Sequence, residues 1–285
     1  MSASPVDLDF RSLTEKHEAL LFDAYGVLVD GHGGLDGAGA AIAMLEQARR
    51  PYLVVTNDAS RSADTASKRF RSFGIEIAPS RVLSSGMLIG PYFQKHGLSG
   101  GRCVVLGTGD SSLYVREAGG EVIANEPDVI LETTIDALVL CDERGFDFLA
   151  TMDAVLTNLL RAFEAGRSVA MVVANPDLVY PSKDGRFAFT AGTLATMLEH
   201  ALALRLGPTA PRFDVLGKPS RSIFDEACSR VETRDCVMLG DQLHTDVAGA
   251  NDAGLASALV LTGVTSRATL ARSTVQPTYV IERVG

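Results

Sequence analysis

The chain has 285 residues, enough for one large domain or two modest ones, and 46% of them are hydrophobic, which favours a buried core over disorder. Its formal net charge is -9 with no run of Lys or Arg, which argues against a nucleic-acid partner. No apolar run approaches a membrane span, no secretory leader is visible, and four cysteines show no CxxC spacing. Together these predict a soluble, reduced, cytoplasmic protein with no membrane partner. A phosphorylated metabolite stays allowed, because one local lysine and a metal outweigh the global field.

In chain order, short apolar runs fall at Ala19–Phe22, Tyr52–Val55, Cys103–Leu106, Ala137–Cys141, Ser168–Val173, Phe213–Leu216, Cys236–Leu239 and Ala256–Leu261. Between them lie amphipathic stretches at Ala38–Arg49, Ala63–Phe73, Phe148–Ala165, Thr193–Leu204 and Ser220–Val231. This alternation predicts an α/β fold of parallel sheets covered by helices on both faces. Pro219 suits the first position of a helix, and Gly254 suits the stop after a helix over Asp246–Ala253. The Gly31–Gly39 stretch lacks the Gly-Lys-Ser/Thr ending of a P-loop and reads as a mobile loop. The five histidines, His244 among them, show no metal-ligand spacing.

Asp23 and Asp241 each stand where an apolar run stops. In an open α/β sheet ligands bind beyond the carboxyl ends of the strands, so the two carboxylates are placed to converge there. Clustered carboxylates repel unless a hard cation holds them, and Mg²⁺ takes such oxygen ligands. Taken singly, each candidate also has a plain reading. Asp23 is a turn or cap residue, Asp246 the N-cap of a helix, Thr56-Asn57 an ordinary turn, and Lys218 a solvated lysine.

Four segments in order change those readings: Asp23-Ala24-Tyr25-Gly26-Val27, Val55-Thr56-Asn57-Asp58, Gly217-Lys218-Pro219-Ser220, and Gly240-Asp241 through Asp246. With Asn175-Pro176-Asp177 and Tyr180-Pro181, they resemble the haloacid dehalogenase superfamily, nearest its C2-capped (subfamily IIA) phosphatases. The likeness runs from about Leu20 to the last strand. It implies a doubly wound parallel-sheet core, residues 1–86 and 191–285, with a smaller α/β cap inserted at 87–190. It implies a nucleophile at Asp23, and Mg²⁺ held by Asp23, the Tyr25 carbonyl, Asp241 and Asp246. Thr56, Asn57 and Lys218 would bind substrate, with Lys218 also stabilising the transferring group. The implied partner is a small phosphorylated metabolite, and a homodimer through the cap follows from the same likeness. Specificity would lie in cap loops, for which Thr108–Ser111, Asp142–Asp147 and Asp177–Asp184 are candidates. These are mostly acidic or neutral, which disfavours a heavily anionic substrate tail.

The chain departs from that pattern at Tyr25, where these phosphatases carry the aspartate that protonates the leaving oxygen and then activates water. A phenol of pKa about 10 donates a proton but is a poor base at neutral pH. Three readings therefore stand open: a Mg²⁺ phosphatase restricted in its leaving groups, a dehalogenase-like hydrolase, and a non-catalytic module that binds a phosphorylated metabolite. Dehalogenases share Asp-Ala-Tyr-Gly, but do not need the metal carboxylates that this chain keeps.

Overall fold

The computed structural model describes residues 5–181 and 186–285. Residues 1–4 of the expected core, and 182–184 of the expected Asp177–Asp184 loop, lie outside the described residues. The strands are β1 (Val6–Asp7), β2 (Ala19–Phe22), β3 (Tyr52–Thr56), β4 (Val82–Ser84), β5 (Arg102–Leu106), β6 (Glu121–Val122) and β7 (Ala137–Leu140). They continue with β8 (Ala170–Val173), β9 (Val179–Pro181), β10 (Phe187–Phe189), β11 (Asp214–Val215), β12 (Cys236–Gly240), β13 (Ala256–Val260) and β14 (Tyr279–Ile281). One sheet has the order β1-β14-β13-β12-β2-β3-β4 and a second β11-β8-β7-β5-β6; the remaining pair, β9 and β10, forms an antiparallel hairpin. All pairings in the two larger sheets are parallel.

Every residue of β2, β3 and β12 is buried, as parallel strands covered on both faces require. Side chains alternate between two apolar clusters with the period of two that a strand imposes. Leu21, Leu53, Val55 and Met238 point one way; Leu20, Phe22, Val54 and Leu239 point the other. The first cluster also takes in Phe93, Cys103, Val105 and Val139, so one face of each large sheet meets in a continuous core. That shared core explains why no polar linker marks the junction in the sequence.

The position of the second unit's end differs from expectation. The helix Ala191–Leu206 buries Ala191, Leu194, Ala195, Leu198 and Leu202 against Val104, Leu106 and Leu138 of the second sheet. Beyond it β11 pairs with β8 at Asp214↔Val172. Residues 191–215, expected in the core, are therefore part of the cap unit, and the return to the core falls near Leu216. An amphipathic helix carries no local mark of which sheet it will cover. Asp246 is likewise not an N-cap: it lies inside a helical turn, Leu243–Val247, that runs into the helix Ala248–Asp252. The Gly31–Gly39 loop is fastened rather than loose. Leu35 N–H donates to Leu28 O at 2.9 Å, and any side chain at Gly37 (φ 88°) would collide with the backbone of Val284.

Candidate active site

The strand order reverses direction at β2, and its carboxyl end carries Asp23 between β12 and β3. Register places Phe22 beside Leu239 and Val54, so Asp23, Thr56 and Asp241 emerge in one layer. Asp23 N–H donates to Leu239 O at 2.8 Å, which continues the ladder to the site itself. The backbone then turns sharply at Gly26 (φ 75°), where any side chain would strike the Asp241 carboxylate. A side chain at Gly263 would strike the same carboxylate. Both glycines let backbone press close against one carboxylate.

Lys218 is almost wholly buried, and its Nζ lies 2.7 Å from both Asp23 Oδ1 and Asp246 Oδ1. Asp241 completes the group: one carboxylate oxygen from each of Asp23, Asp241 and Asp246 lies within 4.8 Å of the others. Val264 N–H donates to Asp241 Oδ2 at 2.7 Å, and Gln242 N–H to Asp246 Oδ2 at 3.0 Å. Asp241 Oδ1 is buried without a hydrogen-bond partner among the described residues.

Three carboxylates against one ammonium leave an electrostatic excess. Burial, together with Asp246 and against the pull of Lys218, raises the Asp23 pKa to about 7. Burial next to Asp23 and Asp246 pushes Asp241 well above the usual carboxylate range. Burial alone would lower Lys218, yet Asp23, Asp246 and Asp177 outweigh it and hold the lysine above its ordinary value. An unpartnered buried oxygen amid clustered carboxylates fits a hard divalent cation, which takes such oxygens and removes the excess. Asp23, Asp241 and Asp246 could hold one, with the backbone of Tyr25 and Gly26 passing alongside.

Thr56 and Asn57 line the same cleft as Asp23 and Asp241. Thr56 Oγ1 accepts from Asp58 N–H at 3.1 Å, leaving its proton for a ligand. Asn57 is engaged differently from the expected substrate contact. Its Oδ1 accepts from Lys218 N–H at 2.7 Å, while its Nδ2 donates to Lys218 O at 3.0 Å and to Asp177 Oδ1 at 3.1 Å. Its amide is spent on protein partners.

Tyr25 borders the cleft, but its hydroxyl accepts a hydrogen bond from Arg69, whose guanidinium lies 5.1 Å from the ring centroid. The ring also meets Tyr180 of the cap unit edge-on, with centroids 6.0 Å apart. Five further charged residues complete the outer cleft. Arg61 pairs with Asp58, and Arg144 donates to Glu143 Oε1 at 2.9 Å and to the Tyr180 hydroxyl at 3.1 Å. Asp142 beside them is raised to about 6, by burial first and then by Glu143. Asp58 closes the Thr-Asn segment and Arg61 follows shortly after it, a nearness that could have flagged both; Arg69 carried no such signal. His244 is exposed on its turn and does not line the cleft.

Of the three expected specificity loops, Thr108–Ser111 serves another purpose. It starts the helix Gly109–Glu117 and ties it to the first unit: Thr108 Oγ1 donates to Ser60 O at 2.6 Å, and Ser111 Oγ to Ala59 O at 2.9 Å. Asp142, Glu143, Arg144, Asp177 and Tyr180 of the other two loops do line the cleft.

A parallel-sheet core that gathers three carboxylates and a lysine beneath an inserted cap defines the class as a capped α/β hydrolase. Residues 20–121 match the family profile described as haloacid dehalogenase-like hydrolase, and residues 215–285 match one described as HAD-hydrolase-like. The D-glycerol 3-phosphate phosphatase of Mycobacterium tuberculosis is 31% identical across 95% of this chain and 70% of its own length. The crystal structure of a possible sugar phosphatase from Cytophaga hutchinsonii superposes with a TM-score of 0.84 at 31% identity, covering 98% of each chain. A glycerol phosphate phosphatase from Mycobacterium tuberculosis, solved in complex with magnesium, has a TM-score of 0.76 at 27% identity, over 94% of this chain and 75% of that one. The chain belongs to the haloacid dehalogenase superfamily of hydrolases, in its C2-capped phosphatase-like branch.

Proposed function

We propose that this phosphatase moves the phosphoryl group of a small hydroxylated phosphate monoester first to Asp23 and then to water, with Mg²⁺ as its ion. The observation that carries the reading is Lys218 Nζ at 2.7 Å from both Asp23 and Asp246, beside an Asp241 oxygen that has no protein partner among the described residues. Asp23 attacks phosphorus while the ester oxygen leaves, and the resulting aspartyl-phosphate splits a hard hydrolysis into two easier steps. Lys218, fixed and desolvated, faces the charge that grows on the transferring oxygens. The Thr56 hydroxyl has a proton to offer those oxygens, and Asn57 holds the Lys218 backbone in place. When bound, the divalent ion supplies charge neutralisation across the carboxylates and the phosphate. Tyr25 is the residue from which a leaving oxygen would take its proton; its hydroxyl is oriented by Arg69.

The outer cleft supports the choice of substrate. Asp58, Asp142 and Glu143 line it together with Arg61 and Arg144, a mixture of acceptors and donors suited to hydroxyl groups. Each arginine is already paired, so an anionic tail would have to displace a carboxylate. The related enzymes named for glycerol 3-phosphate and sugar phosphates agree with that chemistry. Two smaller readings join it. The cap hairpin exposes Phe187 and Phe189, which supports a homodimer through that unit. All four cysteines are free and buried, which supports a reducing, cytoplasmic setting; among the described residues no helix is long and apolar enough to cross a membrane.

The test is phosphate release from glycerol 3-phosphate and p-nitrophenyl phosphate with Mg²⁺ or EDTA, for the wild type and Asp23→Asn. Hydrolysis is expected only with Mg²⁺ and only with Asp23. Activity that survives either change refutes the mechanism, and saturable binding without turnover establishes the binding-module reading instead.

A further inference from the structure

We infer that Asp177, carried by the cap unit, is a positioning residue: through Asn57 it sets the catalytic lysine, which ties the placement of Lys218 to the cap. The inference rests on the phosphatase reading above.

The chain of contacts is continuous. Asp177 Oδ1 accepts from Asn57 Nδ2 at 3.1 Å, and the same amide grips the Lys218 backbone from both sides, at 2.7 and 3.0 Å. Asn57 thus joins one carboxylate of the cap to Lys218, whose ammonium lies between Asp23 and Asp246. No slack is left along the path. A side chain at Gly217 would collide with both Asn57 Oδ1 and Ala174 O, so the chain returning from the cap packs closely against them.

The turn bearing Asp177 is equally fixed. Asp177 N–H donates to Asn175 Oδ1 at 3.1 Å, and Asp177 O accepts from Gly192 N–H at 3.2 Å and from the Thr190 hydroxyl. Gly192 can bear no side chain, because Pro176 O and Asp177 O occupy that space. The start of the helix Ala191–Leu206 therefore clamps the turn and aims its carboxylate at Asn57. Placing a carboxylate there is unfavourable by itself: burial raises it to about 6 despite Lys218 nearby, with Asp246 adding to the rise. A desolvated group held so firmly, with its hydrogen bond directed at the amide that grips Lys218, is suited to orientation.

The test compares Asp177→Ala, Asp177→Asn, Asn57→Ala and the double variant Asn57→Ala/Asp177→Ala, with p-nitrophenyl phosphate and Mg²⁺. The wild-type rate with Mg²⁺ tests the phosphatase reading; ratios between variants test this one. Asp177→Ala should lower kcat about 10- to 100-fold with KM changed less than threefold, as loss of a supporting partner does. Asp177→Asn keeps an oxygen that accepts from Asn57 Nδ2 and should stay within about threefold of wild type. The double variant should be no slower than Asn57→Ala, because both act on one path. Melting curves of the four proteins supply the control for folding. The inference is overturned by an unchanged kcat in Asp177→Ala. An Asp177→Asn as slow as Asp177→Ala also overturns it, since the charge or proton would then matter rather than the hydrogen bond. Independent, multiplying losses in the double variant overturn it as well.

Discussion

Replacing Tyr25 by aspartate separates two consequences that the structure lets us size. The phenol gives up its bond from Arg69 and its edge contact with Tyr180. A hydrogen bond from a charged donor contributes about 1.5–3 kcal/mol and an aromatic pair about 0.5–1.5 kcal/mol. Partial exposure favours the lower ends, so Tyr25→Asp should lose on the order of 2 kcal/mol, read as a melting temperature lower by roughly 3 °C. The shorter side chain ends short of the place where the phenol oxygen meets Arg69, which leaves the new carboxylate nearer the backbone, two residues after Asp23. There it can reach a leaving oxygen. Turnover of an alkyl ester such as glycerol 3-phosphate should rise by up to about 10²-fold, the low end for a positioned acid. p-Nitrophenyl phosphate, whose leaving group needs no proton, should gain far less. The assay is the ratio of kcat/KM for the two esters, with rapid-quench detection of an aspartyl-phosphate burst in the wild type. A folded Tyr25→Asp with an unchanged ratio, and a wild type without a burst, would refute the leaving-group argument.

Lys218→Met strips the one cation that, among the described residues, lies against both Asp23 and Asp246. It should cut kcat by at least about 10²-fold and lower the melting temperature, with added Mg²⁺ recovering part of the stability but little of the rate; full rate with Mg²⁺ present would show the lysine to be structural. Mg²⁺ at about 100 times its Kd should stabilise the wild type by about 2.7 kcal/mol, and Asp241→Asn should erase that gain in a thermal melt; an unaltered gain would place the ion elsewhere. Asp142 has a folded pKa of about 6 against an ordinary value near 3.8, so its penalty is absent below about pH 4 and grows as pH rises through 6. Asp142→Asn should therefore gain on the order of 2 kcal/mol at pH 8 and nothing at pH 4, measured by denaturant melts at both values. A gain independent of pH would assign the effect to packing instead.

What could be read in the sequence follows the range of the interactions involved. Asp23, Asp241 and Thr56 were legible because each stands at the end of a wholly buried parallel strand, and a continuous apolar run that stops at a polar residue is a local mark. The short strands β1, β4, β9, β10 and β14 have no such mark; two or three residues cannot establish a period. Arg69 lies 44 residues from Tyr25, on the helix Ala63–Ser72, where an arginine reads as solvated surface. Asn57 is legible as a polar residue after a strand, but its partners sit 120 and 161 residues away, so the amide's real commitment emerges only when the cap closes the chain back on itself. The misplaced boundary has the same origin. Taken alone, Ala191–Leu206 has an apolar face that suits either sheet, and what assigns it to the cap is its packing on the second sheet, with Thr190 and Gly192 clamped on the Asp177 backbone. That clamp sets the same helix start against the turn that aims Asp177 at Asn57. The segment the sequence could not place is the one that couples the cap to the lysine.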